Sequence, residues 1–401
     1  MLYCTCMKEF IRIFWGFILA VIFSQPVMAL DEIVLDIKDP IKMEIRDTNL
    51  EITNPDIIQE DNKTFKAKIQ NIFETEVTDN EHVKYLLDDV LTKKIEKGPL
   101  ETIGIRGMWR GALTENFFRH DNDTSVSYDE LETRLHGEFR NKKTSFVIGT
   151  RFLPQHEFNF FQYLISDAYI KHRYNKHNSI LIGNSRTHTG QEGAQSERLI
   201  PFYSRSQISN QFGNIRKLGV RAQGDYSLME YDIAVNSTGT YFTSFFPGAE
   251  FCGWINFKPL GKTNGRFGDL KIGGGLTSGR RHFNYNVVGG YVKYKYKKLG
   301  ADFEIANGDG YNGRRGFANV HARGFYTTLY YDLTKKVQLL ARYDDFTPNC
   351  NDSSYRTKEY SAGINYFIKG QALKLILNYV YRQDSLNGDS HRIILGTQIA
   401  I

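Results

Sequence analysis

The sequence predicts an all-β fold: a transmembrane antiparallel β-barrel of about 16 strands, preceded by a short, partly helical segment. Three observations predict it. From Glu101 onward, runs of alternating apolar and polar residues follow one another, and their polar faces carry charge. The connections between these runs alternate between short and long. The chain also opens with the pattern of an export signal.

Composition agrees. The 24 Tyr, 28 Phe and 35 Gly, set against 9 Pro, suit many strands joined by tight turns. Mean hydropathy is −0.42, which argues against a helical membrane protein.

Residues 1–29 read as a signal peptide. Lys8 and Arg12 precede or open the apolar run Ile11 to Phe23, and Val27-Met28-Ala29 follows it. The run is short for a spanning helix, the competing reading.

Residues 30–100 read as an acidic periplasmic linker, with 10 Lys and Arg against 17 Asp and Glu. Within it Val83, Leu86, Leu87, Val90, Leu91 and Ile95 keep helical spacing, which predicts a helix near 81–96. Asn80 can cap its start, and Gly98-Pro99 stops it. Local packing, a lumen plug, an oligomer contact and a tether are all open readings of this helix.

Residues 101–401 hold 39 Lys and Arg against 27 Asp and Glu and form the predicted barrel domain. Strands are predicted near 103–118, 125–140, 144–154, 161–174, 179–188, 216–225, 228–237, 249–258, 269–279, 285–296, 299–307, 321–332, 336–345, 356–367, 372–382 and 390–400. One class of connection is short, such as Asn141-Lys142-Lys143, Lys297-Lys298 and Lys369-Gly370, with Pro259 to Gly268 a longer exception. The other class is long and rich in Gly, Asn, Asp and Ser: 189–215, 238–248, 308–320, 346–355 and 383–389. An even strand count puts both chain ends on the short-turn, periplasmic side.

Single strands show the two faces. In Tyr291 to Lys298, Val292, Tyr294 and Tyr296 oppose Lys293, Lys295 and Lys297. In 131–140, Leu131, Leu135 and Phe139 oppose Glu132, Arg134, Glu138 and Arg140. In a membrane barrel the apolar face meets lipid and the charged face meets a water-filled lumen. Aromatic residues near strand ends, among them Tyr294, Tyr296, Tyr330, Tyr331, Tyr343, Tyr366, Phe367, Tyr379 and Tyr381, suit girdles at the two interfaces.

A barrel of this size leaves an aqueous channel. The candidate lumen cations are Arg134, Arg140, Arg173, Arg221, Lys293, Arg342, Lys374 and Arg382. Acidic partners such as Glu132, Asp225, Asp302 and Asp344 share these faces, while the basic excess tilts the pore toward anions. The long loop 189–215 carries Arg198 and Arg205, which would line a constriction if the loop folds inward. Arg280, Arg281, Arg314, Arg315 and Arg323 could form a basic mouth.

No catalytic constellation is assigned. His136, His172, His188 and Ser185 have no spacing that groups them. No metal or cofactor motif is complete: the glycines at 273–275 precede no helix, and Asp121-Asn122-Asp123 and Asn307 to Gly310 lack full calcium-loop spacing. Cys252 and Cys350 are the cysteines left after Ala29, and spacing does not say whether they pair. Export makes nucleic acid an unsuitable partner.

Several stretches resemble the phosphate-selective porin O and P family of bacterial outer-membrane channels. They are Asp167-Ala168-Tyr169-Ile170, Ser196-Glu197-Arg198, Lys217 to Ala222, Gly324 to Tyr331, Leu340 to Asp344, Ile364 to Phe367 and Leu377 to Arg382, in that order. Ile401 departs from the terminal aromatic common in such barrels. The resemblance implies a 16-stranded, usually trimeric barrel in outer-membrane lipid that passes phosphate or related small anions. It implies that Arg198 and Arg205 on the pore loop, with Arg221 and Arg342 on the wall, guide them. The function expected is passive diffusion of small hydrophilic solutes. An adhesin or structural barrel, and a barrel enzyme, are the alternatives.

Overall fold

The structure is a computed structural model and describes residues 84–118, 122–152, 164–239, 245–313, 316–352 and 355–401. The expected signal peptide, most of the linker, and Arg314 and Arg315 lie outside the described residues.

A three-residue strand, β1 (Thr92–Lys94), precedes the wall. The wall runs through β2 (Leu100–Phe117), β3 (Asn122–Phe139), β4 (Thr144–Phe152), β5 (Ile165–Arg173), β6 (Asn178–Arg186), β7 (Arg216–Asp225), β8 (Met229–Ser237) and β9 (Ala249–Phe257). It continues through β10 (Asp269–Arg280), β11 (Asn284–Tyr296), β12 (Leu299–Gly313), β13 (Gly316–Asp332), β14 (Val337–Thr347), β15 (Thr357–Lys369), β16 (Leu373–Asp384) and β17 (Ser390–Ala400). Each wall strand pairs antiparallel with the next. β17 pairs with β2, from His391↔Phe117 to Ala400↔Met108, and closes the cylinder. Closure leaves each wall strand a partner on both sides, as a membrane barrel requires.

All sixteen predicted strands are present, because a period of two persists wherever one face meets lipid. Along β11, Val292, Tyr294 and Tyr296 face outward while Tyr291 is buried inside. Tyr294, Tyr296, Tyr331 and Tyr366 lie outside near the short-turn end. Near the other end, Tyr343, Tyr360, Tyr381 and His391 form a cross-strand aromatic row at 5.0, 6.0 and 4.9 Å between ring centres. Tyr330 and Phe367 are corrections to the girdle: both are buried inside the barrel. Each adjoins another aromatic, and of two consecutive strand residues one must point inward.

Two further expectations change. The connection expected at 308–320 is mostly strand. β12 reaches Gly313 and β13 starts at Gly316, with a register shift between Asp309 and Tyr311. Gly310, at φ +68°, takes the left-handed geometry at that irregularity. The helix expected near 81–96 shrinks to one turn, α1 (Asp88–Leu91). Thr92–Lys94 then runs extended because β2 offers a partner edge beyond the end of β17, with Thr92↔Gly104 and Lys94↔Thr102 in register. Backbone pairing to the wall wins over weak local helix preference. α1 itself is fastened by Asp88, which receives both Nε and Nη2 of Arg106 at 2.7 and 2.8 Å.

Candidate functional site

The 29-residue gap between β6 and β7 enters the barrel. It contains two short helices, α2 (Gln191–Ala194) and α3 (Gln207–Gln211), with a 3₁₀ turn at Glu197–Leu199 between them. Ser206 caps α3 by accepting from the Ser209 amide. This is the inward loop the sequence suggests, and its anchors explain why it stays inside.

Apolar side chains seat it at three places. Ile208 and Phe212 pack with Val287, Ala306, Tyr311, Ala322, Tyr326 and Phe346 on β11 to β14. Phe202 packs with Tyr330 and Leu340. Tyr203 packs with Ala112, Ile376 and Ile394. Wall glycines leave room: a Cβ on Gly396 would stand 2.5 Å from Tyr203 Cδ2, and one on Gly324 would stand 2.8 Å from Ile208 Cγ2. A loop with a hydrophobic underside gains the same burial energy in a lumen as it would in a soluble core.

Polar staples complete the seat. The backbone amides of Gln191 and Glu192 donate to the Glu304 carboxylate at 2.7 and 3.2 Å. The Tyr203 amide donates to Asn378 Oδ1 at 2.8 Å and the Gln207 amide to Asp344 Oδ2 at 2.7 Å. Asn365 donates to Pro201 O at 2.9 Å, and Gln398 to Arg198 O at 3.2 Å. These wall partners stand on β12 and β14 to β17, across the lumen from the loop's roots on β6 and β7.

The predicted cations divide by what holds them. Arg342 donates to Glu192 at 2.6 Å, to Thr328 Oγ1 at 3.0 Å and to Ser204 O at 3.2 Å. Its guanidinium also stacks between Phe202 and Tyr326, 4.6 and 5.2 Å from their ring centres. Lys374 is fully buried and donates to the carbonyls of Arg198 and Ile200, both at 3.3 Å. Arg205 turns back into its own loop, donating to the carbonyls of Glu192 and Gln195 and pairing with Glu197 at 3.3 Å. Arg198 lies 4.4 Å from the ring centre of Tyr85 and donates to Lys84 O. These four position the loop.

The others are wall pairs. Arg134 meets Glu132 at 2.9 Å and Asp167 at 3.1 Å, Arg221 meets Asp232 at 3.2 Å, and Lys293 meets Asp302 at 3.1 Å. Arg382 bridges Glu359 and Asp384 near the long-loop end. Arg140 and Arg173 sit at the short-turn end. Arg140 follows β3 and donates to the carbonyls of Gly98 and Ile95, while Arg173 ends β5 and meets Glu138 at 2.9 Å. Strand phase alone could not show that both lie at the short-turn rim.

Sequence reading passed over Arg110, Arg151, Lys171, Arg186, Arg216 and Lys217. Arg110 donates to Tyr203 O at 3.0 Å and lies 4.8 Å from the Tyr203 ring centre. Arg186 and Arg151 meet Glu197 at 2.6 and 3.6 Å. Arg216 bridges Asp167 and Glu132, at 3.1 and 3.2 Å. Lys217 pairs with Glu250. For Arg110, Arg151, Lys171 and Lys217 a signal existed: each alternates with outward apolar neighbours, such as Trp109, Ile148, Ile170 and Val220.

The loop carboxylates respond to these cations. Burial alone would raise the Glu197 carboxyl, but Arg186, Arg205 and Arg151 outweigh it and hold it well below the usual range. Glu192 is likewise lowered, against burial, by Arg342 and Arg205 and by the Ser206 amide, which donates at 2.6 Å. Both stay ionised as the loop's fastening points. His188 faces Asp232 through Nδ1 at 3.4 Å and stacks on Trp254, with ring centres 5.4 Å apart. Cys252 and Cys350 are both free; the Cys252 thiol donates to His188 O at 3.1 Å.

Toward the short-turn end the lumen keeps open space beside the loop's first residues. A cavity of about 340 Å³ is lined by His188 of the loop and, from β5 to β9, by residues that include Lys171, Arg173, Gln223, Glu230 and Asp232.

A closed 16-strand barrel narrowed by an inward loop defines the class: a membrane-spanning barrel of porin type. The family model described as "Phosphate-selective porin O and P" matches residues 269–400, the wall from β10 to β17, so the resemblance read from the sequence is borne out over that stretch. No curated protein matches the chain. Among solved structures, the anion-selective porin from Comamonas acidovorans is similar at 8% identity and TM-score 0.56, covering 75% of this chain and 99% of that one. OprB of Pseudomonas putida is similar at 11% identity and TM-score 0.55, covering 75% and 94%. The in-vitro folded OmpT of Vibrio cholerae, described as a trimer form, is similar at 10% identity and TM-score 0.51, covering 75% and 99%. At such identities the likenesses speak for the fold.

Proposed function

We propose that this chain is an outer-membrane porin for passive diffusion of small hydrophilic solutes, with a preference for anions such as phosphate. The observation that carries the reading is the loop between β6 and β7, which narrows the lumen from inside and leaves a cavity of about 340 Å³ beside it. An adhesin or a structural barrel has no need of a fastened inner constriction. The basic excess in 101–401 supports the anion preference. The family match supports phosphate as a test solute. Residues 1–29 act in this reading as the export signal. The segment up to residue 100 stays on the periplasmic side, and the barrel assembles as a homotrimer in outer-membrane lipid.

In this channel the protein performs no bond chemistry. Its work is to exclude lipid, fix the aperture and present charge. The candidate arginines serve mainly the second task, because Arg342 reaches Glu192 and Ser204 O on the loop and Arg205 turns back into the loop itself. Purified, folded protein added to a planar lipid bilayer tests the reading. Discrete conductance steps, a reversal potential on the chloride side in a KCl gradient, and current block by added phosphate are expected. Folded protein that gives no steps overturns it.

A further inference from the structure

We infer that solutes cross the short-turn end of the lumen through its β5–β9 quarter and that Lys171 on β5 sets the charge preference of that route. This rests on the porin reading and adds to it a path and a residue.

The loop determines the path. Its apolar seats lie on β2, β11 to β14, β16 and β17. Its amide and carbonyl staples reach β2, β12 and β14 to β17. That side of the lumen is closed by packed side chains. The short-turn half of the inner wall of β5 to β9 instead borders the cavity of about 340 Å³, while the long-loop half is packed, with Asn184, Arg216, Lys217 and Glu250 each at most 1% exposed. The cavity has room for a hydrated small ion and several waters.

The charges on that wall are unequal in reach. Its carboxylates are already engaged. Asp225 receives Lys258 at 2.6 Å, and Glu230 receives Lys258 at 3.0 Å and Lys271 at 3.1 Å. Asp232 faces Arg221 at 3.2 Å and His188 at 3.4 Å. Lys258, Lys271 and Arg221 balance these carboxylates from outside the cavity lining. Arg173 is held by Glu138 at the rim, and Lys176 is exposed on the turn.

Lys171 differs. Its ammonium donates to Gln223 Oε1 at 2.9 Å, and among the described residues no carboxylate lies within ion-pair distance of it. Gln223 is itself oriented: its Nε2 donates to Asp232 Oδ2 at 3.0 Å, which turns its oxygen toward Lys171. An amide satisfies one ammonium proton without cancelling the charge, and leaves the other two for water or an anion in transit. A cation balanced by a dipole projects further into a narrow aqueous path than one balanced by a carboxylate.

The experiment compares Lys171→Gln and Lys171→Glu with Lys293→Gln. The last removes an equal charge from the inner wall outside the cavity lining. Each protein is checked for heat-modifiable migration as a sign of folding, then studied in planar bilayers under a KCl gradient. Lys171→Gln should lower the chloride-to-potassium permeability ratio about threefold, as a unit charge a few ångströms from a hydrated ion implies. Lys171→Glu should lower it further, and Lys293→Gln should change it far less. Should Lys171→Glu fail to fold, the Gln variant carries the test alone. Wild-type channels whose selectivity is unmoved by Lys171→Gln, or moved equally by Lys293→Gln, overturn the route while leaving the porin reading intact. Absence of wild-type channels overturns both.

Discussion

Replacing Arg342 with Met should release the constriction loop. Arg342 holds Glu192 at 2.6 Å, and only 4% of each side chain is exposed. The substitution keeps most of the volume between Phe202 and Tyr326 but removes the charge. Glu192 then keeps the Ser206 amide at 2.6 Å, with Arg205 as its remaining cation. Taking one partner from a buried pair costs about 3–5 kcal/mol, because the other charge stays buried. If half of that cost falls on the docked loop, its undocked population rises about tenfold or more. Single-channel recordings should show larger and noisier conductance. The double variant Arg342→Met, Glu192→Gln should regain most of the quiet state, since neither charge is then stranded. Unchanged conductance and noise in Arg342→Met, or a double variant worse than the single, would refute the assignment of this pair as the loop's main fastening.

Three further outcomes follow from other contacts. Gly396→Val should displace Tyr203, because even a Cβ would stand 2.5 Å from its ring; altered conductance in a barrel that still migrates as folded is the expected signature. Acid should loosen the loop. Glu192 and Glu197 have lowered values when docked, so their contribution is present above the ordinary carboxylate range and is lost as pH falls through the depressed values. Channel noise should therefore rise below about pH 4. Tyr85→Ala should remove a ring lying 5.1 Å from the Arg106 guanidinium and 4.4 Å from that of Arg198, costing about 0.5–2 kcal/mol, and noise should increase modestly.

The wall was legible in the sequence and the loop's fastening was not, for a physical reason. A lipid-facing strand must repeat its pattern every second residue, so Val292, Tyr294 and Tyr296 announce their side locally. That 189–215 could fold inward was also readable, from its length and its place among the long connections. What each arginine does depends on a partner far along the chain. Arg342 meets Glu192 across 150 residues, and Lys374 meets Arg198 O across 176. No spacing rule encodes such meetings. Strand phase could have found Lys171 and Arg110, yet it could not say that one ends on an amide and the other on a loop carbonyl. The helix expected near 81–96 failed because its sequence also satisfies an open strand edge, and the edge was invisible until β17 was seen to stop opposite Met108.

That edge has a consequence for how the barrel's seam is kept closed to other chains. Beyond Met108 toward its start, β2 has no β17 residue beside it. Ile401 and Gly107 exchange two backbone hydrogen bonds, at 2.7 and 2.9 Å, and β1 takes over at Gly104, Ile103 and Thr102. An uncovered run of amides and carbonyls here would be a template for a strand from another molecule. β1 thus blocks strand pairing between molecules at this seam. A version of the barrel trimmed to begin at residue 100 would carry a sticky margin at its seam, prone to swapping strands while it folds, although every wall strand was still in place.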